Sequence, residues 1–245
     1  MKKFAFVFAI LIGIILLPAI AYLVMMQKAY SQMHTIETGI VTKDVYAIKD
    51  KWVNIFLVRS DSSFIMIDAG NKKKNIIQGL SELQIKPEEV AAIFLTHSDF
   101  DHTNGLPLFP GARVYLSRYE EQMINGETSR FLMVKNKIET GQYQLLDDGQ
   151  MINFPGVSIK TIHAPGHTPG AMCYLVNDSI LFTGDVLKLV DGKAKEFHHY
   201  INMDSKTDMQ SIRKLSHLQN IRYVITAHHG VSRDFDRVFS GWKGE

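Results

Sequence analysis

Apolar positions in this chain fall in short runs that stop at turn or charged residues. Residues 90–95, 157–162, 171–176, 179–183 and 223–226 are four to six positions long and nearly all apolar or small, the pattern of buried strands. Nearer the start, 40–48, 53–59 and 64–67 read as strands separated by Lys49-Asp50 and Asp61-Ser62, and 113–117 adds another. Helical spacing comes in between. Ile76, Ile77, Leu80 and Leu83 form one apolar stripe, and Met209, Ile212, Leu215 and Leu218 form a second. Two halves, each passing from strands to helices, predict an α/β fold, a four-layered αββα sandwich over residues 40–240.

The first 27 residues follow another pattern. After Met1-Lys2-Lys3, residues 4–26 carry no charged side chain. As a helix they would reach roughly 34 Å, enough to span a bilayer core. Two lysines ahead of the run place the N-terminus in the cytoplasm and the body of the chain outside. The expectation is therefore an N-terminal transmembrane helix over 1–27, a linker over 28–39, and an extracytoplasmic domain. A cleaved signal peptide, ending near Ala19-Ile20-Ala21, is the alternative and would give a secreted protein.

Composition narrows the partners. Lys and Arg number 27 against 25 Asp and Glu, so the charge supplies no field for nucleic acid, and none is expected. The single cysteine, Cys173, lies within a strand pattern and reads as a small buried hydrophobe, with no internal disulfide open to it.

The chemistry gathers where strands end. Directly after the run 90–95 comes Thr96-His97-Ser98-Asp99-Phe100-Asp101-His102, with four metal-binding side chains between positions 97 and 102. A strand that gives way to a loop can aim neighbouring side chains at one point. Three later strand ends repeat the arrangement: His163-Ala164-Pro165-Gly166-His167 after 157–162, Gly184-Asp185 after 179–183, and Ala227-His228-His229 after 223–226. Ligands held by strand ends are held rigidly, as a metal site requires. Asp68, which follows the strand 64–67, reads either as a helix cap or as an acceptor that orients a ligand.

The order H-x-D-x-D-H, P-G-H-T, G-D and A-H resembles the metallo-β-lactamase fold superfamily of metal-dependent hydrolases, over residues 40 to 235. The resemblance implies that His97, Asp99 and His167 hold one metal, that Asp101, His102 and His228 hold a second, and that Asp185 bridges them. His228 rather than His229 aligns with the family's strand ending. Asp99 departs from the commonest pattern, which has histidine there. A carboxylate makes the site harder, so manganese or iron stand beside zinc as candidates for the two divalent ions, and Asp99→His is expected to raise zinc retention. Aspartate rather than cysteine at 185 speaks against antibiotic hydrolysis.

Four neutral imidazoles and three carboxylates leave one positive charge on two divalent ions, which a metal-bridging hydroxide would meet. Asp185 and Asp101 are the candidate catalytic carboxylates, and Asp101 can pass a proton to the leaving group. The expected activity is a dinuclear hydrolase of a small-molecule ester, lactone, thioester or phosphodiester. A diiron redox protein and a non-catalytic metal-binding surface module are the alternatives. Residues 118–143 read as a lid over the site or as a surface excursion. In the loop 186–204, His198, His199 and Tyr200 could reach the cleft or lie exposed, while His34 and His217 have no assigned role and His163 is at best an indirect support.

Overall fold

A computed structural model describes residues 2–130 and 135–243, without the side chains of 2–15 and 19. The chain divides into two compact units, residues 1–33 and 34–245. The first is a single helix, α1 (Lys2–Ser31), which extends into the stretch expected to be linker. The membrane span expected over 4–26 finds no support, because among the described residues no helix is long and apolar enough to cross a membrane.

The second unit begins with β1 (Gly39–Thr42), β2 (Val45–Asp50), β3 (Val53–Arg59) and β4 (Phe64–Ile67). The expected strand over 40–48 is thus two, the chain turning back at Lys43 and Asp44, with a register shift between Ile40 and Thr42. Helix α2 (Lys73–Glu82) carries the chain to β5 (Val90–Phe94), α3 (Phe100–Thr103) carries it on, and β6 (Arg113–Ser117), α4 (Glu121–Asn125) and β7 (Tyr143–Leu146) follow. These seven strands form one sheet in chain order, antiparallel from β1 to β4 and parallel from β4 to β7. Phe131, Leu132 and Met133 of the stretch 118–143 lie outside the described residues.

A second sheet is built from β8 (Met151–Phe154), β9 (Val157–His163), β10 (Met172–Val176) and β11 (Ile180–Phe182). The hairpin β12 (Leu187–Val190) and β13 (Lys193–Glu196) then forms its own two-stranded sheet, where the sequence suggested only a loop over 186–204. Its alternation of half-buried and exposed positions over four residues per strand is too short to stand out as a period. Helix α5 (Ser205–Ser216), β14 (Tyr223–Ile225), β15 (Val231–Ser232) and α6 (Phe235–Val238) complete the chain, with strand order β15-β14-β11-β10-β9-β8.

Inner faces of both sheets meet in one core, with Phe56, Phe94, Tyr115, Tyr174 and Phe182 at its centre. Phe94 stacks on Tyr115 at 4.5 Å and meets Tyr174 edge-on at 5.3 Å. Burying each such ring stabilises the fold by about 1.5–3 kcal/mol. On the outer faces, Ile76 and Leu80 of α2 cover the first sheet, and Ile212 and Leu215 of α5 cover the second. The result is the expected αββα sandwich. Both sheets contain parallel neighbours, β4-β5 and β11-β14, and the loops at their carboxyl ends lie on one edge of the sandwich.

Candidate metal centre

At that edge β4 and β5 end side by side, Ile67 opposite Phe94. Asp68 then adopts a left-handed conformation, φ 60°, which turns its carboxylate toward the neighbouring strand end. That carboxylate accepts from the Thr96 backbone N–H at 2.7 Å and from the Thr96 hydroxyl at 2.9 and 3.0 Å, and pairs with His102 Nδ1 at 2.9 Å. Having donated to Asp68, the Thr96 hydroxyl is left to accept from His97 Nδ1, 3.0 Å away. Asp68 therefore orients both histidines of the loop and does not cap α2. The α2 amino end is held by the buried Asp50 instead, which accepts from the N–H groups of Asn71 and Lys72.

His167 is reached through Gly166, whose φ of 140° a side chain would rarely adopt. A Cβ there would lie 2.3 Å from the Asp208 backbone, so the glycine lets α5 pack against this loop. His167 Nδ1 lies 3.1 Å from the Asn202 side-chain oxygen. Gly184, with φ 52°, brings β11's end to within 2.7 Å of Thr96 as judged from its missing Cβ, and so delivers Asp185 to the same point. His228 follows β14 and donates through Nδ1 to the Trp52 carbonyl at 2.5 Å.

All four imidazoles are thus anchored through Nδ1 to oxygen acceptors, and all four present Nε2 inward. This is the arrangement that leaves a ring nitrogen's lone pair free for a metal. The Nε2 atoms of His97, His102 and His228 and Oδ1 of Asp185 are buried without a hydrogen-bond partner. Asp185 faces both ways, Oδ1 at 3.1 Å from His228 Nε2 and 3.5 Å from His102 Nε2, Oδ2 at 3.6 Å from His167 Nε2. Asp101 lies 3.8 Å from His228 Nε2 and 4.0 Å from His102 Nε2. Ligands about 2.0–2.2 Å from a tetrahedral ion lie roughly 3.3–3.6 Å apart, so the residues present fit two such ions. Among the described residues two groups each bring three ligand atoms within 4.8 Å of one another, close to that spacing: His97, His167 and Asp185, and Asp101, His102 and His228.

Asp99 comes to the first group from the side. Its Oδ2 is 3.5 Å from His97 Nε2 and 3.3 Å from His167 Nε2, and it also accepts from Arg130 at 2.7 Å. Burial alone would raise this carboxyl, but the charge of Arg130, and then the neighbouring His167 and His97 rings, hold it well below the usual carboxylate range. Asp185 is likewise kept ionised against burial, by His228 and His102.

Sequence reasoning missed five residues here, none of which carries a local motif. Trp52 donates from its indole to Asp101 Oδ2 at 3.0 Å while its carbonyl holds His228. Glu120, fully buried, accepts from the Ser98 N–H and hydroxyl with one oxygen and from Thr168 and the Gly170 N–H with the other, joining the two ligand loops. Arg130, Asn136 and Asn202 complete the support. Glu120, Arg130 and Asn136 do fall in the stretch 118–143, which the sequence left as a lid or a surface excursion.

The remaining histidines separate clearly. His163 pairs with the Pro169 carbonyl and stacks on Tyr119, outside both groups. Of the two histidines left open between cleft and solvent, His198 is buried, 3 % exposed, beside Phe197, whereas His199 is exposed and paired with Glu196. His229 is buried near His198. Burial lowers His198 to about 4 and His229 to about 3, so both stay neutral.

Comparison with known proteins agrees with this geometry. The family described as the metallo-beta-lactamase superfamily matches residues 52–228. A probable metallo-hydrolase of Methanocaldococcus jannaschii is 27 % identical over 94 % of this chain and 95 % of its own length. The chain spans about three fifths of two other relatives. One is a hydroxyacylglutathione hydrolase of Aeromonas hydrophila, 28 % identical over 71 % of this chain and 60 % of that protein. The other is a probable polyketide biosynthesis zinc-dependent hydrolase of Bacillus velezensis, 33 % identical over 60 % of this chain and 62 % of that protein. Among solved structures, a B3 metallo-beta-lactamase with an active-site glutamic acid superposes with a TM-score of 0.67 at 16 % identity, covering 86 % of this chain and 89 % of that one. That likeness is one of fold.

Proposed function

The chain belongs to the metallo-beta-lactamase superfamily, and we propose that it is a dinuclear metal-dependent hydrolase of an ester, lactone, thioester or phosphodiester. His97, Asp99 and His167 would hold one divalent ion, Asp101, His102 and His228 the other, with Asp185 shared. One observation carries the reading: four imidazoles anchored through Nδ1 turn their Nε2 atoms into one buried pocket, facing the two oxygens of a single aspartate. Names of relatives, a metallo-hydrolase and a zinc-dependent hydrolase among them, support hydrolysis and put zinc first, with manganese or iron next.

When bound, two divalent ions supply an activated water and polarise the oxygen under attack. The protein's own groups do the rest. Asp68, Thr96, Asn202 and the Trp52 carbonyl fix the ring orientations, so the pocket is assembled before substrate arrives. Asp101 has one oxygen tied to the Trp52 indole, which leaves Oδ1 to take a proton from the attacking water and pass it to the leaving group.

The test is turnover of a chromogenic ester, thioester, lactone and phosphodiester by the metal-loaded full-length protein. Hydrolysis of at least one is expected, abolished in Asp185→Ala and in His102→Ala while the folded spectrum is kept. Full activity of Asp185→Ala in metal-controlled buffer contradicts the mechanism. Extracytoplasmic placement, suggested by Lys2-Lys3 and the uncharged residues 4–26, belongs to the same proposal. Protease accessibility in intact cells tests it, and protection of the domain contradicts it.

A further inference from the structure

Asp99 and Asp101 occupy comparable places, one beside each pair of histidines, yet their partners differ in charge. Asp101 receives a neutral indole N–H. Asp99 receives a guanidinium: Arg130 Nη2 lies 2.7 Å from Oδ2, the oxygen that also faces His97 and His167. The guanidinium is fixed on its other sides, donating through Nη1 to the Ile201 carbonyl and through Nη2 to the His167 carbonyl, 3.4 Å away. Asp99 Oδ1 is taken by the Asn136 amide at 3.0 Å, and that amide also donates to the Ser98 hydroxyl at 2.8 Å. Side chains of the ion pair are only 16 % and 17 % exposed, so solvent screens it weakly.

We propose that Arg130 and Asn136 form a clamp on Asp99 that makes the first metal site selective for zinc although one of its ligands is a carboxylate.

Two physical effects point the same way. The cation draws negative charge from Oδ2, so the donor offered to the ion is weaker and the first site is less anionic than the second by the charge of Arg130. Asn136 engages Oδ1 and holds it toward the amide, which disfavours chelation by both Asp99 oxygens. Manganese and iron gain from anionic and chelating carboxylates and from higher coordination numbers, whereas zinc accepts four single ligands of mixed nitrogen and oxygen. Arg130 and Asn136 are positioning residues in this account; neither needs to touch substrate. The clamp reverses the expectation that Asp99→His raises zinc retention, because a histidine at 99 would leave the guanidinium facing an imidazole with its counter-charge gone.

The inference rests on the two-metal reading, and metal binding rather than turnover is its readout. Full-length protein stripped of metal is titrated with Zn(II) and with Mn(II) against a chromophoric chelator, the first site being assigned by its loss in His97→Ala. In Arg130→Gln the ratio of zinc to manganese affinity at the first site is expected to fall at least tenfold, about 1.4 kcal/mol, with the second site unchanged. Arg130→Lys keeps the charge and most of the ratio, and Asn136→Ala lowers it in the same direction by less. Asp99→His loses zinc affinity, and Asp99→His combined with Arg130→Gln recovers it. An unchanged ratio in Arg130→Gln, or zinc binding in Asp99→His equal to that of the parent with Arg130 in place, overturns the clamp. Should Arg130→Gln fail to fold, Asn136→Ala and Asp99→His, which both keep Arg130, carry the test. A parent protein that takes up no metal contradicts the proposed function itself, which separates the two failures.

Discussion

Asp68 is held at φ 60°, a conformation that costs a residue with a side chain about 1–3 kcal/mol, offset by its bonds to the Thr96 N–H, the Thr96 hydroxyl and His102 Nδ1. Asp208 illustrates the opposite case, a buried carboxyl that is not kept charged. Burial, and then repulsion from Glu196, push it up to about 8 from an ordinary 3.8. Between those two pH values the unfolded chain has lost the proton and the folded chain retains it. Stability from this group is complete below about pH 4 and is lost as pH rises toward 8. Asp208→Asn removes that slope. The variant is expected to gain almost nothing on the parent in denaturant unfolding at pH 4 and progressively more as pH rises to 8; parallel pH profiles for the two proteins would contradict the assignment. Residue-scale chemistry was readable in sequence where it sat in a motif. His97, Asp101, His102, His167, Asp185 and His228 all come together. What sequence could not tell is the charge beside Asp99, because Arg130 is 31 positions away and its approach depends on tertiary packing.

At the scale of elements, the site is a set of strand ends, and the turn between β2 and β3 supports two of its ligands. Trp52 lies in that turn, 49 positions from Asp101 and 176 from His228, and it serves both. Replacing it with phenylalanine removes the indole N–H but keeps the carbonyl that holds His228. Trp52→Phe is therefore expected to weaken the second metal site about 10–100-fold and to spare the first, read by chelator competition; equal weakening of both sites would mean that the tryptophan acts through general packing. Strands and helices with six or more patterned residues were legible from their periods, as 53–59, 157–162 and α5 illustrate. The hairpin β12-β13 was not, since four-residue strands with mixed burial leave no period. The stretch 118–143 withheld its role for another reason. Its buried contacts, Glu120 to both ligand loops and Arg130 and Asn136 to Asp99, are made by polar residues that in sequence look like surface.

For the whole molecule, the sandwich places two parallel strand pairs, one from each sheet, edge to edge. Hydrogen bonds to backbone carbonyls close the seam: Asn54 N–H to Ala227, Met172 N–H to Thr96, and the Tyr174 hydroxyl to Leu95. Ligands from both sheets thereby meet at fixed distances without a lid having to close. A preformed pocket of inward-facing nitrogens and carboxylates is costly for the apo fold, and bound ions would offset that cost, since anything that binds the folded state alone stabilises it. The same logic makes occupancy the most direct test. Elemental analysis of the full-length protein, purified without added chelator, is predicted to give about two equivalents of divalent metal, with zinc foremost, and about one equivalent in each of His97→Ala and His228→Ala. Well under one equivalent in the parent protein after reconstitution with zinc, or two equivalents retained by both variants, would contradict a dinuclear centre built from these seven residues.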